Sequence, residues 1–283
     1  MGSRFVDGII DFGRNGGRAG EACGDPPWSG AMPPALHDPL FLALSAIAVI
    51  LLGLSKGGFA GVGALGTPLL ALATGPVEAA AIILPILIVQ DVVGVWAFRR
   101  TWDGHVLALM LPGAAIGITI AYWFAASLPE AGMQVALGLI SVLFAARSLW
   151  LQRGGRVPAP AHPPWWFGFL MGMLAGVTSQ IAHAGQPPFQ IYVLPKRLAR
   201  DVLVGTTAIF FAAVNWIKVP AYIALGQFTH AHLMTSLALM PLAVVSTFAG
   251  VWLVRRVDAD RFYALIYWLM LGIGLKLIWD AFS

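Results

Sequence analysis

Hydrophobic residues in this chain come in long uninterrupted runs, at about 39–57, 61–74, 76–98, 105–127, 131–151, 165–182, 186–195, 201–225, 229–254 and 260–281, with polar residues gathered between them. Eight of the runs are long enough to cross a bilayer, which takes roughly 20 apolar residues in a helix. Two are too short: at about 1.5 Å per residue, 61–74 and 186–195 reach roughly 21 and 15 Å against a hydrocarbon core of about 30 Å. Each short run predicts a half-helix that enters and leaves by one face. The pattern as a whole predicts an all-α polytopic membrane protein.

The first short run belongs to the stretch GLSKGGFAGVGALGTPLLAL, residues 53–72, which holds six glycines, Pro68 and the charged Lys56. Lipid offers no hydrogen bonds to an interrupted backbone, so such a break has to be buried inside protein or line a cavity. Close helix packing through small residues is the alternative use of any single glycine here. Shifting the chain by 119 positions places Gly53, Gly57, Gly66 and Pro68 on Gly172, Gly176, Gly185 and Pro187. The order of runs repeats as well: a run, a short run and three full-length runs in each half. The chain therefore reads as a Gly/Pro/Asp/Arg-rich tail over 1–38, expected to be disordered, a first transmembrane repeat over 39–152, a polar linker RGGRVPAPAHPP over 153–164, and a second repeat over 165–283.

Charge placement sets the orientation. Basic clusters fall at Arg99–Arg100, Arg153 and Arg156, Lys196–Arg197 with Arg200, and Arg255–Arg256 with Arg261. If both short runs return the chain to the face it left, each half crosses an odd net number of times and the second is inverted. All four clusters then share one side, which the positive-inside rule makes cytoplasmic, with both termini external. Eight simple crossings would split the clusters. The two repeats are therefore expected to have inverted topology, each a broken re-entrant-like hairpin followed by three transmembrane helices. The tail lacks the order of a cleaved signal peptide, so the first helix is expected to act as the membrane signal.

Composition agrees: the chain is 59% hydrophobic and only 11% charged, against about 25% charged in soluble domains, and its mean hydropathy is +0.80. The net charge of +4 comes from arginines between spans and does not indicate nucleic-acid binding, while the single cysteine, Cys23, excludes an internal disulfide. Tryptophans 96, 102, 123, 150, 165, 166, 252 and 279 fall mostly near run ends, as an interfacial belt does. No phosphate loop, HExxH or nucleophile elbow is present, no cofactor is implied, and the FTHAH pair His230 and His232 lacks an evident third metal ligand.

Ionisable groups inside the runs are few, and each is costly to place there. Lys56 sits at the tip of the first expected hairpin, where it can attract an anion, snorkel to an interface or pair with a carboxylate. The second tip, GVTSQIAHAGQPPF, carries hydrogen-bonding groups instead: Thr178, Ser179, Gln180, His183 and Gln186. His183 titrates near neutrality and is a candidate proton carrier as well as a ligand. Asp91 and Asn215 occupy similar places in the long runs after the hairpins, with Asp91 either a proton acceptor or the partner that orients Lys56. Lys218 follows one turn beyond Asn215, as a substrate contact or as a lysine reaching out past its helix end. Arg147, Asp201 and Lys276, near run ends, read as interfacial. Inverted repeats with broken helices mark secondary transporters, whose half-helix N-termini offer unpaired N–H groups to an anion near the midplane. The expected substrate-binding set is Lys56, Gly57, Gly61, Gly63, Ser179, Gln180, His183, Gln186, Asn215 and Lys218, with Asp91 and His183 for proton coupling.

On the stretch GLSKGGFAGVGALGTPLL, its weaker copy GMLAGVTSQIAHAGQPPF, and Asp91 or Asn215 in the following helix, the chain over about 40–281 resembles the TauE/SafE sulfite exporter family, also called the 4-toluene sulfonate uptake permease family. The resemblance implies a multi-pass secondary transporter of the inner (plasma) membrane. It would move sulfite, sulfonates or related organosulfur or carboxylate anions with proton or ion coupling, without enzymatic activity. Members often carry consecutive glycines at both tips; here the second tip is bulkier and polar, which points to a substrate with particular hydrogen-bonding needs. A passive channel on the same fold and, less favoured, a membrane-embedded enzyme pairing Asp91 with His183 are the competing readings, and a homo-oligomer is left open.

Overall fold

The computed structural model describes residues 38–56, 62–125, 127–153, 163–253 and 260–282. The expected tail over 1–38, apart from Asp38, and most of the linker over 153–164 lie outside the described residues. What is described is helical, in ten α-helices with short 3₁₀ turns: α1 Pro39–Lys56, α2 Gly66–Thr74, α3 Pro76–Phe98, α4 Gly104–Ala125, α5 Glu130–Arg153, α6 Trp165–Ala182, α7 Gln186–Val193, α8 Arg200–Ala224, α9 His230–Leu253 and α10 Asp260–Asp280. Taken in order, α1–α5 and α6–α10 have matching lengths: 18 and 18 residues, 9 and 8, 23 and 25, 22 and 24, 24 and 21.

Local chemistry sets the boundaries. The Asp38 carboxylate accepts the Leu40 N–H at 2.9 Å with Pro39 opening the helix, and Asp103 caps α4 through His105 N–H at 2.9 Å and Val106 N–H at 3.1 Å. Gly75 separates α2 from α3 at φ +85°, a conformation that admits glycine without strain, and Pro76 follows at the first position of α3. Among the described residues six helices, α1, α3, α4, α5, α8 and α9, are long and apolar enough to cross a membrane. One of the eight expected spans, α6, is not among them, because Thr178, Ser179 and Gln180 make its end polar. The eight tryptophans expected to form a belt are all exposed.

Packing crosses between the halves. α1 lies mainly against α9, while α6 lies mainly against α4; α3 packs on α8, and α5 on α10. Both hairpin arms use glycine to approach. A Cβ at Gly53 would lie 2.1 Å from Ser246 Oγ, and Gly250 of α9 fits over the Gly53 carbonyl. Across α4 and α6, Cβ atoms at Gly113, Gly117, Gly172 and Gly176 would lie 2.0–2.2 Å from the carbonyl oxygens of Phe169, Met173, Met110 and Ala114 respectively. Backbone therefore touches backbone along a four-glycine seam.

The matched glycines do matched jobs. Gly53 and Gly172 each seat a hairpin arm on a helix of the other half, while Gly66 and Gly185 each let a short helix close on its own arm, at Leu52 and at Ala175. Gly57, the partner of Gly176, lies outside the described residues. The end of α3 lies beside the start of α8, where Asp103 N–H donates to Thr206 Oγ1 at 2.9 Å and Arg99, Arg100 and Asp201 share one surface hollow. At the opposite end of α3, Glu78 lies 3.7 Å from His232 Nε2 at the start of α9.

Candidate functional site

Both broken hairpins end in the same place. α1 stops at Lys56, and the chain returns through a 3₁₀ turn over Val62–Leu65 into α2; α6 stops at Ala182, and the chain turns at His183 into α7. His183 has φ +51°, a left-handed conformation uncommon outside glycine, and its N–H donates to the Ser179 carbonyl at 3.1 Å. The turn aims its ring at α3 and α8.

A cavity of about 90 Å³ opens between the tips, lined from the first half by Leu52, Ser55, Lys56, Gly63, Ala64 and Leu87, and from the second by Ser179, His183, Gln186, Gln190, Leu194 and the α8 face Leu203, Val204, Thr207, Ala208, Phe211 and Asn215. At about 10–15 Å³ per water, that is room for a small anion with part of its hydration shell. Ser55 Oγ donates to Gln186 Oε1 at 3.3 Å and so ties the two tips together across the cavity.

Two polar clusters stand behind the lining. In the first, Lys56 forms an ion pair with Asp91 Oδ1, and Asn215 Nδ2 donates to Asp91 Oδ2 at 2.6 Å. The two residues that the sequence placed at similar points of α3 and α8 therefore meet, and Lys56 has the carboxylate partner that was one of its readings. The Phe211 ring lies 5.7 Å from Lys56 Nζ, adding a cation–π contact. In the second cluster, Lys218 Nζ lies 3.2 Å from both the carbonyl and the hydroxyl of Ser179 and 2.6 Å from His183 Nδ1, while His183 Nε2 lies 3.0 Å from the Ala80 carbonyl. Because Ser179 Oγ accepts from Lys218, its own hydrogen remains to be donated into the cavity.

Of the expected set, Lys56, Gly63, Ser179, His183, Gln186 and Asn215 line the cavity; Asp91 and Lys218 sit behind it, each one contact away. Lys218 does not reach outward past a helix end. It is wholly buried, because α8 continues for six residues beyond it to Ala224. Gln180 is buried off the cavity, its carbonyl accepting from Tyr222 O–H at 3.2 Å. Gly57 and Gly61 lie outside the described residues. The reading that both tips offer unpaired helix N–H groups needs one correction. Positions 187 and 188 of α7 are both proline and have no N–H, and the Phe189 N–H is spent on the Gly185 carbonyl at 3.4 Å, so the start of α7 is poor in N–H donors and side chains carry more of the second tip.

Ser55, Gln190, Thr207 and Phe211 are lining residues that the sequence reading did not single out. Gln190 is four residues beyond Gln186, and Thr207, Phe211 and Asn215 follow at intervals of four on α8, so helical spacing from the residues already chosen would have reached them. Tyr222→Phe removes the hydrogen bond to Gln180 that joins α8 to α6. It is expected to lower stability by about 0.5–1.5 kcal/mol, read as a lower unfolding temperature of the purified protein.

A family model described as Sulfite exporter TauE/SafE matches residues 45–277, which includes every residue of both clusters. No curated protein and no solved structure matches the chain.

Proposed function

The chain belongs to the TauE/SafE sulfite exporter family, and on that premise we propose that it carries a small anion across the cell's inner (plasma) membrane by alternating access, the anion being sulfite, a sulfonate or a related organosulfur or carboxylate compound. As a family member it is a multi-pass membrane transporter. The observation that carries the finer reading is that both hairpin tips open on one cavity holding a lysine and a set of hydrogen-bond donors. Lys56 supplies positive charge, with Asp91 and Asn215 holding it in place; Ser179, Gln186 and Gln190 supply hydrogen bonds to oxyanion oxygens; Leu52, Leu87, Leu203 and Phe211 form the apolar walls. His183 completes the lining, and Lys218 supports it from behind.

Alternating access is supported by the way the fold repeats. Equivalent helices α3 and α8 pack with the end of one beside the start of the other, as inverted halves over 39–152 and 165–283 require, and the basic clusters at Arg99–Arg100 and around Arg200 come to the same end. Rocking one hairpin against its seam would then open the cavity to each side in turn.

The test is flux in proteoliposomes. The parent chain is expected to accumulate sulfite or methanesulfonate against its gradient when a pH gradient is imposed, which a passive channel would not do. Ser179→Ala should lower flux at subsaturating anion roughly tenfold or more, because a hydrogen bond to a charged group is worth about 1.5–3 kcal/mol and each 1.4 kcal/mol is tenfold. Parent vesicles no faster than protein-free ones for any of these anions would overturn the reading.

A further inference from the structure

Lys218 and His183 present an arrangement that anion coordination alone does not require. Lys218 is fully buried, and none of the ion pairs among the described residues includes it; Lys56 has Asp91, Lys276 has Asp280, and Glu78 faces His232. Its contacts are all neutral acceptors, the Ser179 carbonyl and hydroxyl and His183 Nδ1. The charged or titratable groups nearest the pair are Lys56 of α1 and Asp91 of α3, already engaged with each other, and Tyr222 of α8, whose ring stacks on His183 with centroids 6.1 Å apart and whose hydroxyl is committed to Gln180; Glu78 of α3 faces His232, and Asp201 of α8 lies at the far end beside Arg99 and Arg100. A buried ammonium with no carboxylate is unfavourable in the empty site and becomes favourable when an anion arrives beside it.

The geometry also limits how many protons the pair can hold. With His183 Nδ1 2.6 Å from Lys218 Nζ and Nε2 against the Ala80 carbonyl, a single hydrogen occupies the line between the two nitrogens. Either the ammonium donates to a neutral imidazole, or the imidazolium donates to a neutral amine; both put the same heavy atoms in the same places. Two charges would bring two donors head to head, so the pair binds one excess proton or none.

Resting on the anion-transport reading above, we infer that Lys218 and His183 form a single-proton dyad that is loaded when the cavity takes up an anion, fixing the coupling at one proton per anionic charge. The step balances: a proton from water joins the neutral dyad as the anion enters, and the pair of charges leaves the site together as the anion departs. The Ser179 hydroxyl, which accepts from Lys218 and faces the cavity, connects the two. Asp91 is then not the proton carrier; its task is to hold Lys56.

Calorimetric titration of the full-length protein in nanodiscs with methanesulfonate tests this, because that anion takes up no proton of its own near neutral pH. Repeating the titration at alkaline pH in two buffers of different ionisation enthalpy reads the protons bound per anion. The parent is expected to take up close to one, with affinity falling about tenfold for each pH unit over the range in which uptake is complete. Lys218→Met should bind methanesulfonate more weakly and take up none. Lys218→Arg keeps its charge at every accessible pH and should bind with neither proton uptake nor pH dependence. Binding by the parent without proton uptake, or undiminished uptake in either variant, overturns the dyad while leaving anion transport standing. Absence of methanesulfonate, sulfite and carboxylate binding by the parent removes both.

Discussion

Lys56→Met abolishes anion flux and sharply destabilises the protein, and adding Asp91→Leu restores most of the stability and none of the flux. The expectation follows from burial: Asp91 is 2% exposed, and its oxygens are held by Lys56 and Asn215. Removing the cation alone strands a carboxylate, and breaking one partner of a buried pair costs about 3–5 kcal/mol, whereas replacing both with apolar residues is often neutral. Recovery stays incomplete because the Asn215 amide loses its acceptor, a loss of about 1–3 kcal/mol for a buried donor. Unfolding temperature and proteoliposome flux, measured on both variants, separate the structural role of the pair from its transport role. A double variant that transports like the parent would show that Lys56 is only a structural cation.

The second large effect is steric. Gly117→Ala puts a methyl 2.0 Å from the Met173 carbonyl oxygen, and Gly176→Ala puts one 2.2 Å from that of Ala114. The obstructing atoms belong to helix backbone, which cannot swing aside as a flexible side chain can, so α4 and α6 must separate along their length. Overpacking typically costs about 1–3 kcal/mol, and a rigid backbone contact belongs at or beyond the top of that range. Either variant is expected to lose most of its monodisperse protein on size-exclusion chromatography in detergent. Gly272→Ala on α10 is the control, since nothing lies within 4 Å of the added methyl, and alanine is the better helix former by about 0.5–1 kcal/mol.

Much of this plan is written in the sequence, because lipid makes backbone breaks expensive and the chain must mark them. The glycines and prolines at equivalent positions identified both hairpins, and the scarcity of charge inside apolar runs left Lys56, Asp91, His183 and Lys218 as the groups to explain. Asp91 and Asn215 were recognisable as equivalents from their place after each hairpin; that they touch depends on how α3 and α8 pack, which apolar runs do not encode. The same limit hid Gln190, Thr207 and Phe211. Each lies on a helix whose inward face is chosen by its neighbours, and in a membrane protein the outward face is apolar too, so periodicity reaches the lining only when counted out from a residue already chosen, such as Gln186 or Asn215. For Lys218 the sequence left a substrate contact and a lysine reaching outward both open, and its complete burial removes the second.

The exchange of partners between the halves has a consequence for how the chain is made. The principal support of α1 is α9, which begins at His230, so 173 residues separate it from the end of α1 at Lys56. At a synthesis rate of about 5–20 residues per second, that is a wait of roughly 10–35 s. During that interval the first broken hairpin, with its half-buried lysine, has to be sheltered by its own half or by the insertion machinery until its clasp arrives. The second hairpin emerges with its α4 support already in the membrane. Assembly is thus asymmetric in time even where the finished packing is reciprocal, and a ribosome stalled before α9 leaves the half that carries Lys56 as the one exposed to quality control.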